Sequence, residues 1–126
     1  MAEARATGPT IALVSYVDLP GLTDDDRLLA AALDERGARV QPVVWSDPAI
    51  DWSSFDAVVV RSCWDYFLRA DQFFAWLALL DAQAARVSNP VRTLRWNAEK
   101  TYLRDLETRG IPVVPTHWMA SGAVES

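Results

Sequence analysis

Short apolar runs that alternate with helical segments constrain the fold of this chain most strongly. The runs TIALVSYV (10–17), VQPVVW (40–45) and DAVVVRS (56–62) are rich in β-branched residues and have the length of buried strands. RVSN (86–89) is a possible fourth strand. Pro42 lacks an N–H donor, so the second strand should lie near a sheet edge. The alternation predicts an α/β fold, with a small, mostly parallel sheet and flanking helices.

The helical segments carry their own boundary signals. Thr23 is the expected N-cap of the first helix (23–37), three aspartates follow at the positive end of its dipole, and Gly37 is the expected left-handed terminator. Its packed face should hold Leu28, Leu29, Ala32 and Leu33. The second helix (70–85) should pack on the sheet through a stripe of apolar side chains. The stripe consists of Phe73, Trp76, Leu77, Leu80 and Ala84.

Two further helical pieces, 90–96 and 98–110, precede an extended segment. The stretches 33–45 and 106–118 both read L-x-x-R-G-x-x-V-x-P-x-x-W. Either a duplication or the local convergence of two helix–glycine–strand junctions would explain the match, and we favour convergence. Both explanations predict a strand-like segment at 113–118.

Composition limits the classes of function. The 126 residues suit one domain, which we expect at 10–119, with a disordered tail at 1–9 and a linker or frayed end at 120–126. A net charge of −5 without a basic block argues against nucleic-acid binding. A single cysteine excludes an internal disulfide and favours the cytoplasm, and no apolar run has the length of a membrane span.

The third strand runs directly into RSCWDY (61–66). Ligands of open parallel sheets bind outside the carboxyl ends of the strands. Arg61 offers a fork of donors for a carboxylate or phosphate, Trp64 and Tyr66 offer amphipathic rings, and Asp65 could orient the rings or bind an amine. Alternatively, the two rings only cover the core and Arg61 pairs with Asp65.

Other residues and motifs limit the kinds of binding site and catalytic site that the sequence can form. Ser15, at the end of the first strand, is a further candidate for substrate binding. Cys63 is expected to be a small buried hydrophobic residue rather than a nucleophile, because the chain's one histidine, His117, is remote in sequence. The sequence contains no glycine-rich dinucleotide or P-loop fingerprint, no zinc-ligand spacing and no G-x-S-x-G elbow. We therefore assign neither a metal ligand nor a catalytic residue.

The segment NPVRTLRWNAEKTYLRDLETRGIPVVPT (89–116) resembles the connection between the N-terminal domain of ATP-grasp ligases and their nucleotide-binding part. Together with DWSSFDAVVVRSCWDYFLR (51–69), it is most similar to the subgroup that contains cycloserine-forming ligases. The resemblance spans about residues 10 to 119. It implies a Rossmann-like pre-ATP-grasp domain.

The resemblance also implies an activity. ATP-grasp ligases convert a carboxylate to an acyl phosphate, from which an amine displaces phosphate. It implies that Lys100, the only lysine among twelve basic residues, contacts the nucleotide phosphates. It implies that Arg61 holds the carboxylate of an amino-acid-like substrate.

In the family, most residues that bind ATP and Mg²⁺ lie downstream of this region. We therefore expect the 126 residues to be inactive alone and to work with a missing ATP-grasp domain or a second chain. A truncated ligase, a half-enzyme and a stand-alone module of the α/β class remain open, the last with possible homodimerisation. Trp96, Trp118 and Met119 are candidates for an apolar docking surface.

Overall fold

The computed structural model describes residues 8–122, which belong to two compact units divided between Arg95 and Trp96. The first unit contains a four-stranded sheet formed by β1 (Thr10–Ser15), β2 (Arg39–Val44), β3 (Ala57–Val60) and β4 (Val87–Ser88). The order is β2-β1-β3-β4, and every pair is parallel. The predicted α/β class is confirmed.

The edge position of the second strand is also confirmed. Pro42 lies in β2, which pairs with β1 and forms one edge of the sheet that the described residues build. A proline costs least at such an edge, because one side of the strand has no ladder to donate to. The central strand β1 is buried from Ala12 to Ser15, so the core of the first unit lies around its carboxyl half.

Helix α1 (Asp24–Glu35) begins and ends as predicted. The Thr23 hydroxyl accepts the Asp26 backbone N–H at 3.1 Å, and Gly37 adopts a φ of 90° directly after the helix. The predicted packed face was partly wrong, because Leu28 is exposed while Leu29 and Leu33 are half-buried. The innermost residue of the helix is Asp26, and Leu28 lies about 200° around the axis from it.

Helix α2 (Ala70–Ala82) follows a single 3₁₀ turn at Tyr66–Arg69. Four members of the predicted stripe are buried, whereas Ala84 lies beyond the helix end, is exposed and has a left-handed φ of 51°. The buried stripe packs on indole rings from the segment after β2. The ring pairs are Trp45 with Phe73 at 5.4 Å, Trp45 with Trp76 at 5.9 Å, and Trp52 with Trp76 at 5.3 Å. Three of the six tryptophans are therefore core residues.

Helix α3 (Val91–Ala98) begins in the first unit, and α4 (Tyr102–Thr108) lies in the second. Gly110 ends α4 with a φ of 78°, as expected. The expected strand-like segment at 113–118 was wrong, because residues 111–120 form no strand. Pro112 and Pro115 remove two N–H donors that a ladder would use.

The expected tail (1–9) and linker (120–126) fall mostly on residues 1–7 and 123–126, which lie outside the described residues. Pro9 is described, and its carbonyl accepts the Arg39 N–H at 2.8 Å. Between residues 8 and 122, no helix combines the length and the apolar character needed to cross a membrane.

Candidate functional site

The carboxyl edge of the sheet contains a topological switch point. The central strands of the sheet are β1 and β3. β2, which follows β1 in sequence, lies on one side of this central pair, and β4, which follows β3, lies on the other side. A crevice is expected at such a reversal. Ser15 ends β1 and Arg61 follows β3, and the Arg61 and Ser62 N–H groups both donate to the Val14 carbonyl, at 3.3 and 3.1 Å. The loop after β3 therefore starts against the end of β1.

A buried carboxylate from α1 reaches this edge. The Arg61 Nε–H donates to Asp26 Oδ1 at 2.8 Å, and the Ser62 hydroxyl donates to Asp26 Oδ2 at 2.5 Å. The side chain of Asp26 is 1 % exposed, whereas that of Arg61 is 45 % exposed. Burial raises the pKa of Asp26, but the hydrogen bonds from Ser62 and Arg61 and the charge of Arg61 outweigh it, so the pKa lies below its ordinary value.

The predicted alternative pairing of Arg61 with Asp65 is not what the structure shows. Arg61 binds Asp26, whereas Asp65 binds Arg69 through Nη1 at 3.4 Å. Sequence reasoning assigned Asp26 to the helix dipole and missed this contact. A signal was present, because Asp26 precedes Leu29 and Leu33 at spacings of three and seven residues, the spacing of a helix face.

Asp65 orients a ring, but a different one from those expected. The Trp45 Nε1–H donates to Asp65 Oδ1 at 2.8 Å, and the Arg69 guanidinium lies 5.3 Å from the centre of the Trp45 ring. Both carboxylate oxygens of Asp65 therefore have partners within the protein. This network ties the end of β2 to the loop after β3.

The two predicted rings of this loop face different surroundings. Trp64 is 55 % exposed and lies 6.0 Å, centre to centre, from the ring of Tyr16, which follows β1. Tyr66 is half-buried and packs on Phe73 at 5.2 Å. Trp64 thus presents its ring at the switch point, while Tyr66 joins the core. Trp64, Phe67 and Leu68 are all exposed, and they are called here the 64–68 apolar surface.

Ser15 forms a hydrogen bond with the loop after β1. It is fully buried, and its hydroxyl donates to the Leu19 carbonyl at 2.7 Å. Leu22 closes the same loop with a buried side chain and a left-handed φ of 73°, a conformation that costs free energy for a branched residue. Ser15 therefore helps to fix the conformation of the loop after β1.

Cys63 is buried, as predicted. Burial raises the pKa of its thiol to about 12, and the negative charge of Asp65 adds to the effect. The thiol is neutral at pH 7 and is not an activated nucleophile.

Lys100 belongs to the second unit. Its Nζ lies 5.6 Å from the ring centre of Tyr102, and the side chain is exposed. In the same unit the Trp96 indole N–H donates to Asp105 at 2.8 Å, and Arg104 stacks at 4.2 Å over Trp118. Of the expected docking residues, Trp96 and Met119 are exposed and Trp118 is half-buried.

A shallow apolar pocket of about 200 Å³ lies between the segment after β2 and helix α2. Its walls include Trp45, Pro48, Trp52, Trp76 and Leu79. None of the predicted site residues lines it, so we place the candidate site at the switch point, where polar and aromatic side chains converge.

The strand order and the switch point define a small doubly wound α/β domain, a class in which ligands bind at the carboxyl edge of the sheet. The chain belongs to the family described as D-cycloserine synthetase DcsG, N-terminal domain, which matches residues 11–89. The predicted resemblance to the cycloserine-forming subgroup is thereby confirmed. The matched residues include the whole Asp26–Arg61–Ser62 network but not Lys100.

Two relatives are similar to the chain. It is 39 % identical over 79 residues to the cycloserine biosynthesis protein DcsG of Streptomyces lavendulae, a match over 63 % of this chain and 26 % of that protein. The crystal structure of D-cycloserine synthetase DcsG superimposes with a TM-score of 0.73 at 32 % identity, over 84 % of this chain and 35 % of that one. The chain thus spans about a quarter to a third of the length of these relatives.

Proposed function

We propose that this chain forms the substrate-side domain of an ATP-dependent carboxylate–amine ligase of the ATP-grasp class. The supporting observation is the half-exposed Arg61 guanidinium, which Asp26 anchors at the switch point, in the loop that also exposes the ring of Trp64. A guanidinium fork suits a carboxylate. In such a ligase the carboxylate oxygen attacks the γ-phosphorus of ATP and ADP leaves. An amine then attacks the acyl phosphate and releases inorganic phosphate.

The residues of the edge take two kinds of role in this proposal. Arg61 binds the carboxylate of an amino-acid-like substrate, and Trp64 covers one face of the substrate. The other three predicted residues stabilise the loops around the substrate, because their side chains bind or pack on protein groups. These residues are Asp65, Tyr66 and Ser15. The substrate therefore meets a rigid edge built by three loops.

The described residues do not by themselves fit an ATP–Mg²⁺ site. Lys100 supplies one ammonium, a point charge suited to a phosphate oxygen. Within residues 8–122, no three His, Cys, Asp or Glu side chains are grouped so that they could hold a metal ion. We propose that Lys100 contacts a phosphate of the nucleotide, and that most of the ATP and Mg²⁺ contacts come from residues outside this chain.

The partner that we propose is the nucleotide-binding part of such a ligase, in the same polypeptide or in a second chain. The 64–68 apolar surface supports this assignment, because Phe67 and Leu68 are 67 % and 74 % exposed next to the substrate edge. Large adjacent apolar side chains of this kind mark contact surfaces. We place the assembly in the cytoplasm, in keeping with the single, unpaired cysteine.

Titration of the ¹⁵N-labelled chain with D-serine and with D-serinamide tests the substrate role. Cycloserine carries the serine skeleton, and the amide lacks the carboxylate charge. We expect D-serine to shift amide signals at residues 15–17 and 61–66, and D-serinamide to bind at least tenfold more weakly. Arg61→Ala should abolish the difference. Arg39→Ala, at the opposite end of the sheet, should preserve it. Equal binding of both compounds to the wild type would contradict the proposal.

The 64–68 apolar surface also favours a second candidate, a self-associating α/β module without catalysis. Sedimentation separates the two. A ligase domain should sediment as a monomer when its partner is absent, whereas the module should form a dimer that Phe67→Ser dissociates. The nucleotide role of Lys100 needs the assembled ligase, where Lys100→Ala should raise the ATP concentration required for half-maximal rate.

A further inference from the structure

The pairing between Asp26 and Arg61 joins a buried acceptor to a half-exposed donor. Asp26 receives Arg61 Nε–H on one oxygen and the Ser62 hydroxyl on the other. An arginine carries five N–H donors, and the contact at Nε uses one of them. Within residues 8–122, the structure shows no further partner for the guanidinium, so its four Nη–H donors are left for a ligand.

We propose that Asp26 is the positioning residue of the substrate site. It holds the Arg61 guanidinium side-on through Nε, so that the Nη donors face a substrate carboxylate in a fixed orientation. The inference rests on the substrate role proposed above for Arg61. It assigns to Asp26 a function that the sequence pattern had explained only as favourable charge at the start of α1.

The geometry favours positioning over a purely structural anchor. A half-exposed arginine without a partner samples many rotamers, and binding would have to order it. The side-on contact orders it in advance, and the Ser62 hydroxyl fixes the carboxylate on its other oxygen. The remaining fork then matches a second carboxylate bidentately. Preorganisation of this kind increases affinity by reducing the ordering that accompanies binding.

The negative charge of Asp26 by itself would disfavour the binding of a substrate carboxylate to Arg61. A carboxylate next to Arg61 reduces the net positive potential that a substrate carboxylate meets. Removal of the Asp26 charge should therefore strengthen binding if attraction dominated, and weaken it if orientation dominates. The sign of the change in affinity thus separates the two effects.

The test uses Asp26→Asn, with Ser62→Ala and Asp25→Asn as comparison variants. Asp25 is an exposed neighbour in the same helical turn, and Ser62→Ala removes one bond to Asp26 without touching Arg61. The ¹H–¹⁵N signal of Arg61 Nε–H should be resolved and slow to exchange in the wild type and in Asp25→Asn, and should persist with faster exchange in Ser62→Ala, where the Asp26 carboxylate is held less firmly. It should be averaged or lost in Asp26→Asn, and the amide spectrum verifies that each variant is folded.

Affinity gives the second readout. We expect the preference for D-serine over D-serinamide to fall about tenfold in Asp26→Asn and to change less than twofold in Asp25→Asn. A persistent Arg61 Nε–H signal in Asp26→Asn, or an increased preference for D-serine, overturns the inference. If the wild type shows no preference, the proposed function fails, and the Nε–H signal alone then decides whether Asp26 positions Arg61.

Discussion

Replacement of Asp26 by Asn should lower the free energy of unfolding by about 1–2 kcal/mol at pH 7. Asn has nearly the same shape as Asp, so the change leaves no cavity. Its single Oδ1 can still accept from the buried Ser62 hydroxyl, but its Nδ2 then faces Arg61 Nε–H, donor against donor. The Ser62 bond therefore survives in neutral form, whereas the Arg61 bond is lost and the half-exposed guanidinium turns to water.

The magnitude follows from the difference between charged and neutral hydrogen bonds. A bond to a charged group contributes about 1.5–3 kcal/mol and a neutral one about 0.5–1.5 kcal/mol. The Ser62 bond is buried and should lose the larger share. The loss of the Arg61 bond should cost less, because water screens a half-exposed guanidinium and solvates it once the pair is broken.

The pH dependence has a definite sign. The pKa of Asp26 lies below its ordinary value of 3.8 in the folded protein, so folding favours the charged form. This contribution is fully present above the ordinary pKa and is lost as the pH falls through the folded pKa. The stability difference between wild type and Asp26→Asn should be constant from pH 7 to about 5 and shrink below pH 3.8.

Urea denaturation followed by tryptophan fluorescence at pH 7, 5, 4 and 3 measures this difference, because three tryptophans lie in the core. Asp25→Asn is the matched control. It removes an exposed charge from the same turn and should change the free energy of unfolding by less than about 0.5 kcal/mol. A difference that is absent at pH 7, or as large at pH 3 as at pH 7, would refute the reasoning.

Three other substitutions or reactions test separate features of the fold. Ala84→Gly should stabilise the protein by about 1 kcal/mol in thermal unfolding, because Ala84 has a φ of 51°, whereas Ala82→Gly within α2 should destabilise it. Gly8→Ala should lower the free energy of unfolding by at least about 2 kcal/mol, because a Cβ at this position would lie 1.8 Å from the Gly37 carbonyl oxygen. A decrease below about 0.5 kcal/mol in urea denaturation would contradict that contact. Cys63 should react with iodoacetamide far more slowly than an unfolded thiol at pH 8, and equal rates would show that it is accessible.

The elements that sequence reasoning predicted well are those whose signals are local. Thr23 caps α1 because its hydroxyl needs only a backbone N–H three residues away, and Gly37 ends the helix because its φ requires no tertiary contact. Pro42 marks an edge strand through its own missing donor. Such features depend on one residue and its neighbours in the chain, so they can be predicted from the sequence alone.

The similarity between stretches 33–45 and 106–118 shows the limit of what a local sequence pattern can predict. Both helices finish with the same pair of bonds, in which the glycine N–H and the next N–H return to the last turn, at Gly37 and at Gly110. After the glycine the stretches diverge. The first enters the sheet as β2, whereas the second forms no strand. The shared pattern therefore predicted the turn and not the strand, because strand formation needs a neighbour that a local pattern cannot supply.

The sequence predicted that RSCWDY follows a strand at the carboxyl edge of the sheet, but it did not predict the partners of these side chains, because those partners are distant along the chain. The Asp26 carboxylate and Arg61 are 35 residues apart, and Trp45 and Asp65 are 20 residues apart. The residue types in RSCWDY suggested a polar cluster, yet only the packing of α1 and the end of β2 decides which side chain is bound internally and which stays exposed. Asp65 is occupied by Trp45 and Arg69, whereas Arg61 pairs with Asp26 and keeps its guanidinium half-exposed. The acid that binds Arg61 comes from α1, outside the loop, and leaves the guanidinium half-exposed. The arrangement that we propose for an anionic ligand is therefore set by the fold rather than by the sequence pattern alone.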